Sequence, residues 1–288
     1  MARYRRFTAV DGLIYIFLAG AAAVTLYPFI NVAAVAMSDY SVYLRNPLII
    51  IPQEIQFDAY EFVFTHPLIM SSYRNTIIVT AVGTFLRLFL TTTLAYPLSR
   101  RGLRGKPIIM IYLIITMMFN GGLIPNFYLV RSLGMYNTLF ALIVPMSVSA
   151  FSVILMKSFF ESLPESLIDA ARIDGASDLF ILWRIVLPLS TAIVATLSLF
   201  FAVGLWNSFF SAIVYIRDRN LWTLQLVLRE IVIESAAVME DELTAAYSIH
   251  TQNLKYAVII VAIVPILCLY PFLQKYFVKG IMIGAVKG

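Results

Sequence analysis

The chain has 288 residues, of which 61% are apolar and 13% charged, and a net charge of +5. A soluble domain is nearer half apolar and a quarter charged, so an ordinary water-soluble enzyme or binding module is excluded. A single cysteine, Cys268, rules out an internal disulfide and makes a thiolate metal site a poor reading.

Six apolar runs are long enough to cross a bilayer: 12–37, 75–98, 107–128, 139–160, 188–215 and 254–276. They predict an all-α polytopic membrane protein that forms one transmembrane domain over 1–288. Arg3, Arg5 and Arg6 precede the first run, and Ala19, Gly20 and Ala21 imitate a signal-peptide cleavage site. A signal peptide's apolar core is only about 7–15 residues long, and this run continues well past those alanines. It reads as an uncleaved anchor. The segment 38–73 carries Pro47, Pro52 and Pro67 and reads as an irregular external cap.

The second run holds Arg87 near its middle, between Phe85 and Leu86 on one side and Leu88 and Phe89 on the other. Inserting arginine there costs about 2.5–3.5 kcal/mol on translocon scales. Ser99 lies about 18 Å away along the helix, too far for easy snorkelling. Arg87 is therefore expected to face a polar interior. It is either a ligand contact or a structural pair with backbone carbonyls or a partner-chain carboxylate. In the third run, Asn120, Gly121, Gly122, Pro125 and Asn126 interrupt the apolar pattern. That break fits a broken helix lining a path, or the outer end of a span followed by a short external helix. Pro145, Pro265 and Pro271 predict kinks in the fourth and sixth runs.

Residues 162–187 are polar and amphipathic. Ser162 and Glu165, with Pro164 between them, predict a capping box. Leu163, Leu167, Ala170, Ala171 and Asp174 follow at helical spacing. Gly175 supplies a left-handed stop. Ser177 caps a second helix that carries Trp183 and Arg184 into the fifth run. Glu161, Glu165, Asp169, Asp174 and Asp178 would be repelled by anionic lipid, so a protein partner fits this elbow better than a bare membrane surface. In the fifth run Trp206, Asn207 and Ser208 sit with Phe209 and Phe210. Together with Asn120, Asn126 and Arg87 they are the candidate substrate-path residues. The same residue types also serve as interfacial belt and as helix–helix glue. The segment 216–253 contains an amphipathic helix with Leu224, Val227, Leu228 and Ile231 on one face, then an acidic stretch from Glu240 to Glu242 that reads as a solvated loop. His66 and His250 fall in loops with no ligand neighbour at useful spacing.

Lysine and arginine concentrate on the side of the N-terminus: Arg3, Arg5, Arg6, Arg100, Arg101, Arg104, Lys106, Lys157, Arg172, Arg184, Lys275, Lys279 and Lys287. Both termini and the elbow are therefore predicted to be cytoplasmic. These charges are dispersed at span ends, which argues against a nucleic-acid partner.

The spacing of the elbow resembles the EAA loop of bacterial ABC importer permeases. Asp169, Ala170 and Ala171 are followed by Gly175, and Ile185, Leu187 and Pro188 complete the pattern. Aspartate stands where the general pattern has glutamate, as it often does in carbohydrate importers. Leu133 to Thr138, Leu221 to Gln225 and the tail from Gly284 to Gly288 resemble segments of maltose-type sugar permeases. Phe119 to Pro125 resembles a subset that imports oligosaccharides, including those from uronate-rich polysaccharide.

The resemblance implies a type I ABC importer permease in the bacterial plasma membrane. ATPase coupling would fall to Glu165, Asp169, Ala170, Ala171, Asp174, Gly175, Leu187 and Pro188. Gly284, Val286 and Lys287, in a tail over 277–288, would reach the ATPases. Its implied partners are a sister permease, two ATPase subunits, an extracellular solute-binding protein and an oligosaccharide. The chain itself lacks a phosphate-binding loop: Gly102, Gly105, Lys106 and Pro107 fail in spacing and in the final hydroxyl. ATP and Mg would be held by the ATPase chains, and no cofactor is expected in this one. An ABC permease for another solute and an ATP-independent transporter or channel stay open. An intramembrane enzyme would need a constellation such as His with Asp or Glu, and the spans have none.

Overall fold

The computed structural model describes residues 8–238 and 253–268. Among these residues helix dominates, and the one β feature is an isolated antiparallel bridge between Ser38 and Ile55. The described residues divide into two compact units, 8–66 with 228–238 and 253–264, and 67–227 with 265–268.

In the first unit, α1 (Ala9–Ala36) starts at a capping box formed by Thr8 and Asp11. At 28 residues it is about 42 Å long, enough to cross a bilayer. Most of its apolar side chains are exposed; Val32 and Ala33 are half-buried, and Ala34, Val35 and Ala36 are buried. The Asn31 amide donates to the carbonyls of Pro47 and Ile49, 3.0 and 2.8 Å away, and folds the following segment back on the helix. The segment 38–73 is not the irregular cap expected from its prolines. It contains α2 (Tyr40–Arg45), capped by Asp39, α3 (Asp58–Thr65) and the first turns of α4. Its prolines fall between or at the start of these helices, where their missing N–H does no harm.

In the second unit, α4 (Pro67–Ser99) begins ahead of the predicted run and lies against α8 (Ala150–Glu161) and α12 (Thr191–Trp206). Gly83 permits the closest approach, since a β-carbon there would stand 2.7 Å from Leu205 Cδ1. Two apolar clusters lie along this helix. One gathers Val79, Val130, Leu142, Leu205, Ala212 and Tyr215. The other gathers Tyr96, Met156, Phe160, Ile168, Ile181 and Leu197.

Three predicted runs are interrupted: the first at the expected break, the second beside the proline expected to kink it, and the third where no break was expected. The run 107–128 is α5 (Lys106–Met118) and α6 (Leu123–Ser132), bent by 115° at the glycine pair. The run 139–160 is α7 (Phe140–Ile143) and α8, separated by Pro145 and by Met146 at φ +57°. The run 188–215 bends by 84° at Ser190 and stops at Asn207 before α13 (Phe210–Tyr215). Apolar composition marks the candidate spans, whereas glycine, proline and hydrogen-bonding side chains decide where the helix stops. Among the described residues α1 and α4 alone are single helices able to cross a bilayer, and each bent pair adds one if it counts as a span.

Side-chain clamps hold the loops to this frame. Asn75, 1% exposed, donates to the carbonyls of Asn220 and Trp222 at 2.8 and 3.1 Å. Thr76 Oγ1 accepts from the Leu224 amide at 2.8 Å, which fixes the start of α14 (Leu224–Val238). That helix is the predicted amphipathic one, with Leu224 and Val227 buried. The last described helix, α15 (Asn253–Cys268), contains Pro265. Pro271, His250, the stretch 240–242, Gly284, Val286, Lys287 and the three N-terminal arginines lie outside the described residues.

Candidate coupling elbow and translocation cavity

The elbow is α9 (Glu165–Ile173), a turn, and a second helical segment over Asp178–Leu189. The predicted capping box is not formed. Pro164 holds the cap position without a side-chain bond, and the Ser162 hydroxyl donates to the Phe159 carbonyl instead. With Pro164 at the cap, Glu165 is the first helical residue and the third is Leu167, whose side chain accepts no hydrogen bond, so the reciprocal box cannot form. At the other end the prediction holds. Gly175 has φ +81°, its amide donates to the Arg172 carbonyl, and the Ala176 amide donates to that of Ala171. These two bonds make a Schellman stop, which a β-carbon at Gly175 would strain. Ser177 Oγ accepts from the Phe180 amide and opens the next helix.

Pro188 explains the irregularity that follows. It cannot donate to the Arg184 carbonyl, and residues Leu182–Val186 form a π-helical turn immediately before it. The chain then bends at Ser190 into α12.

The elbow has two unlike faces. Ile168, 2% exposed, is driven into the cluster with Tyr96, Met156 and Phe160. Leu163 and Ala171 pack partly against it. Glu165, Asp169, Ala170, Asp174 and Gly175 remain exposed. Beside them Ile173 is 86% exposed, and Leu179 and Phe180 are also open. Leu187 is half-buried against the core and Pro188 is exposed. Charge pairs tie the elbow to the loop after α4, brace it internally and hold the end of α8 beside it. Arg101 meets Glu165 at 3.0 Å, Arg172 meets Asp178 at 3.1 Å, and Glu161 receives Lys106 and Lys157 at 2.9 and 2.7 Å. Arg100 lies over the Tyr96 ring, 5.0 Å from its centroid. Burial pushes the Glu161 carboxyl up, but the hydrogen bonds and charges of Lys157 and Lys106 outweigh it and hold the group below the usual carboxylate range. The hydrogen bond from Arg172 to Asp178 pushes the guanidinium above its ordinary value.

The substrate-path candidates do not all converge. Arg87, Asn126 and Ser208 line one cavity of about 340 Å³. Asn120 and Asn126 line a second, of about 210 Å³, which shares Met146, Ser211 and Tyr215 with the first. Asn120 also stitches the helix break: its Oδ1 accepts from the Gly122 amide at 3.0 Å and from Asn126 Nδ2 at 3.4 Å. Trp206 turns away from both cavities and meets Tyr73 edge-on at 5.8 Å. Asn207 lines neither cavity and accepts from Gln225 Nε2 at 3.4 Å. Ser211 and Tyr215 belong to the cavity wall and were missed, since only the break at Asn207 brings α13 round to it.

Asn137 was also missed. Its Oδ1 accepts from the amides of Arg217 and Asp218 at 2.9 and 2.8 Å. Its φ of +60°, with Gly134 at +70°, explains the Leu133 to Thr138 motif as a turn that ties α6 to the segment after α13.

Residues 80–283 match the family described as binding-protein-dependent transport system inner membrane component. The chain is 42% identical over 274 residues to protein LplC of Bacillus subtilis (strain 168), covering 95% of this chain and 93% of that one. It is 42% identical over 280 residues to the polygalacturonan/rhamnogalacturonan transport system permease protein YtcP of the same organism, covering 96% and 98%. Among solved structures it resembles a chain of a bacterial ABC transporter involved in the import of the acidic polysaccharide alginate. There the TM-score is 0.83 and the identity 34%, covering 96% of this chain and all of that one.

Proposed function

The chain belongs to the family of binding-protein-dependent transport system inner membrane components, and from that premise we propose that it is one of two permease subunits of an ATP-driven importer for oligosaccharides, including uronate-containing ones. Two ATPase chains bind ATP and Mg, a sister permease completes the pathway, and an extracellular binding protein delivers the sugar. The permease crosses the membrane six times with both termini in the cytoplasm. The tail residues Gly284, Val286 and Lys287 reach the ATPases.

The elbow does the coupling. Its exposed face, with Glu165, Asp169, Ala170 and Asp174, docks on an ATPase chain. Closure of the ATPase pair on ATP draws the two permeases' elbows together. Ile168 ties α9 to α4, α8 and α12, so the elbow drags these helices as one body rather than sliding over them. The observation that carries the reading is this division of a nine-residue helix: Ile168 is 2% exposed and Ile173 is 86% exposed. The sugar class is supported by the names of the relatives and by the polar groups of Asn126, Ser208 and Ser211 on an otherwise largely apolar cavity wall.

The test is uptake by proteoliposomes that hold both permeases and both ATPases. Labelled trigalacturonate should accumulate only with ATP and the binding protein together. Uptake by this chain alone, or a binding protein that takes peptides and no sugar, would contradict the proposal.

A further inference from the structure

We propose that Arg87 and its cavity form a carboxylate-selective subsite, which grips an acidic sugar unit on its way through the permease; this rests on the carbohydrate reading above. Arg87 stands near the centre of the 33-residue α4, where a bare cation is costly. Among the described residues it has no ion pair, and its buried Nε has no hydrogen-bond acceptor. The 340 Å³ cavity beside it has no Asp or Glu on its wall. Among the described residues nothing supplies the counter-charge. Asn126, Ser208, Ser211 and Tyr215 face the same space and supply the donors and acceptors that sugar hydroxyls need. A guanidinium accepts a carboxylate through paired hydrogen bonds, and does so most strongly away from bulk water. The volume falls at the small end of ligand pockets, about 300–1,000 Å³, which suits a short stretch of sugar rather than a whole chain.

The alternative counter-charge is a carboxylate of the sister permease, and the experiment separates the two. The complete importer is reconstituted with wild type, Arg87→Gln or Arg87→Lys. Uptake is measured for trigalacturonate and for its fully methyl-esterified form, which has the same shape without the charge. The acid-to-ester uptake ratio should fall at least tenfold in Arg87→Gln, with Arg87→Lys between it and wild type. An unchanged ratio with both uptakes reduced would overturn the subsite and assign Arg87 to assembly. So would failure of both variants to co-purify with the sister permease. A wild-type importer that moves the ester but not the acid overturns the subsite and leaves the carbohydrate reading standing. One that moves neither contradicts that reading too.

Discussion

The elbow is polar and the cavity is mostly apolar with a few polar groups on its wall, and they treat charge in opposite ways. At the elbow Arg101 finds Glu165, Arg172 finds Asp178, and Glu161 takes two lysines. In the cavity Arg87 finds no carboxylate among the described residues. The elbow's pairs are largely open to water, where each is worth about 0–1 kcal/mol. They orient the helix more than they stabilise it. The lone arginine is the reverse: it is expensive where it stands, and nothing among the described residues offsets it. In the proposed function the first region, with its charges answered, moves as a rigid lever, and in the proposed subsite a solute answers the charge that the second leaves open.

The largest expected effect comes from breaking the lever. Gly175→Pro removes the amide that closes the Schellman stop and demands φ near −65°, where the chain has +81°. The protein should insert and assemble, while sugar-stimulated ATP hydrolysis and uptake fall at least tenfold. Normal uptake in that variant would separate the elbow from coupling. Next, the cavity can be made to resemble the elbow. Ser208→Asp places an internal acid on the wall that Arg87 shares, and uptake of trigalacturonate relative to its methyl ester should drop severalfold. A third change loosens the lever without altering any charge. Ile168→Ala leaves a hole in the cluster at a cost of about 2–5 kcal/mol. It should lower the thermal stability of the purified complex and weaken the link between ATP turnover and uptake.

The smallest effect belongs to the surface pairs. Glu161→Gln should shift stability by no more than about 1 kcal/mol. Because Lys157 and Lys106 hold the Glu161 carboxyl below its unfolded value, its contribution is present above pH of about 4.3 and disappears as pH falls through the lower folded value. Wild type and Glu161→Gln should therefore differ at neutral pH and converge in acid. A difference that widens in acid would mean the pairs are not what holds Glu161.

The elbow was legible in the sequence because backbone chemistry writes it there. Gly175 must be left-handed and Ser177 must cap, whatever surrounds them. The capping box misled because Ser162 and Glu165 have the right spacing but Pro164 takes the cap position. The spans were legible as apolar runs but not as helices. The glycine pair and Pro145 announced the breaks beside them, but those at Ser190 and Asn207 depend on which carbonyls and amides find partners across the fold. The cavity was half legible. Arg87 announced itself by its solvation cost, whereas Trp206 and Asn207 looked like substrate contacts only until the turn after α12 sent them elsewhere. Asn137 and Asn75 carried no sequence signal as clamps, since the amides and carbonyls they bind lie far along the chain.

The most direct test of the account asks what the exposed face of α9 touches. Cys268 is the chain's single cysteine, so Cys268→Ser with Ala170→Cys places one thiol on that face. In membranes containing the whole importer, a short bifunctional maleimide should join this position to an ATPase chain, and ATP should change the yield. No link to the ATPase, together with labelling of Ala170→Cys by an impermeant reagent from the external side, would contradict the account.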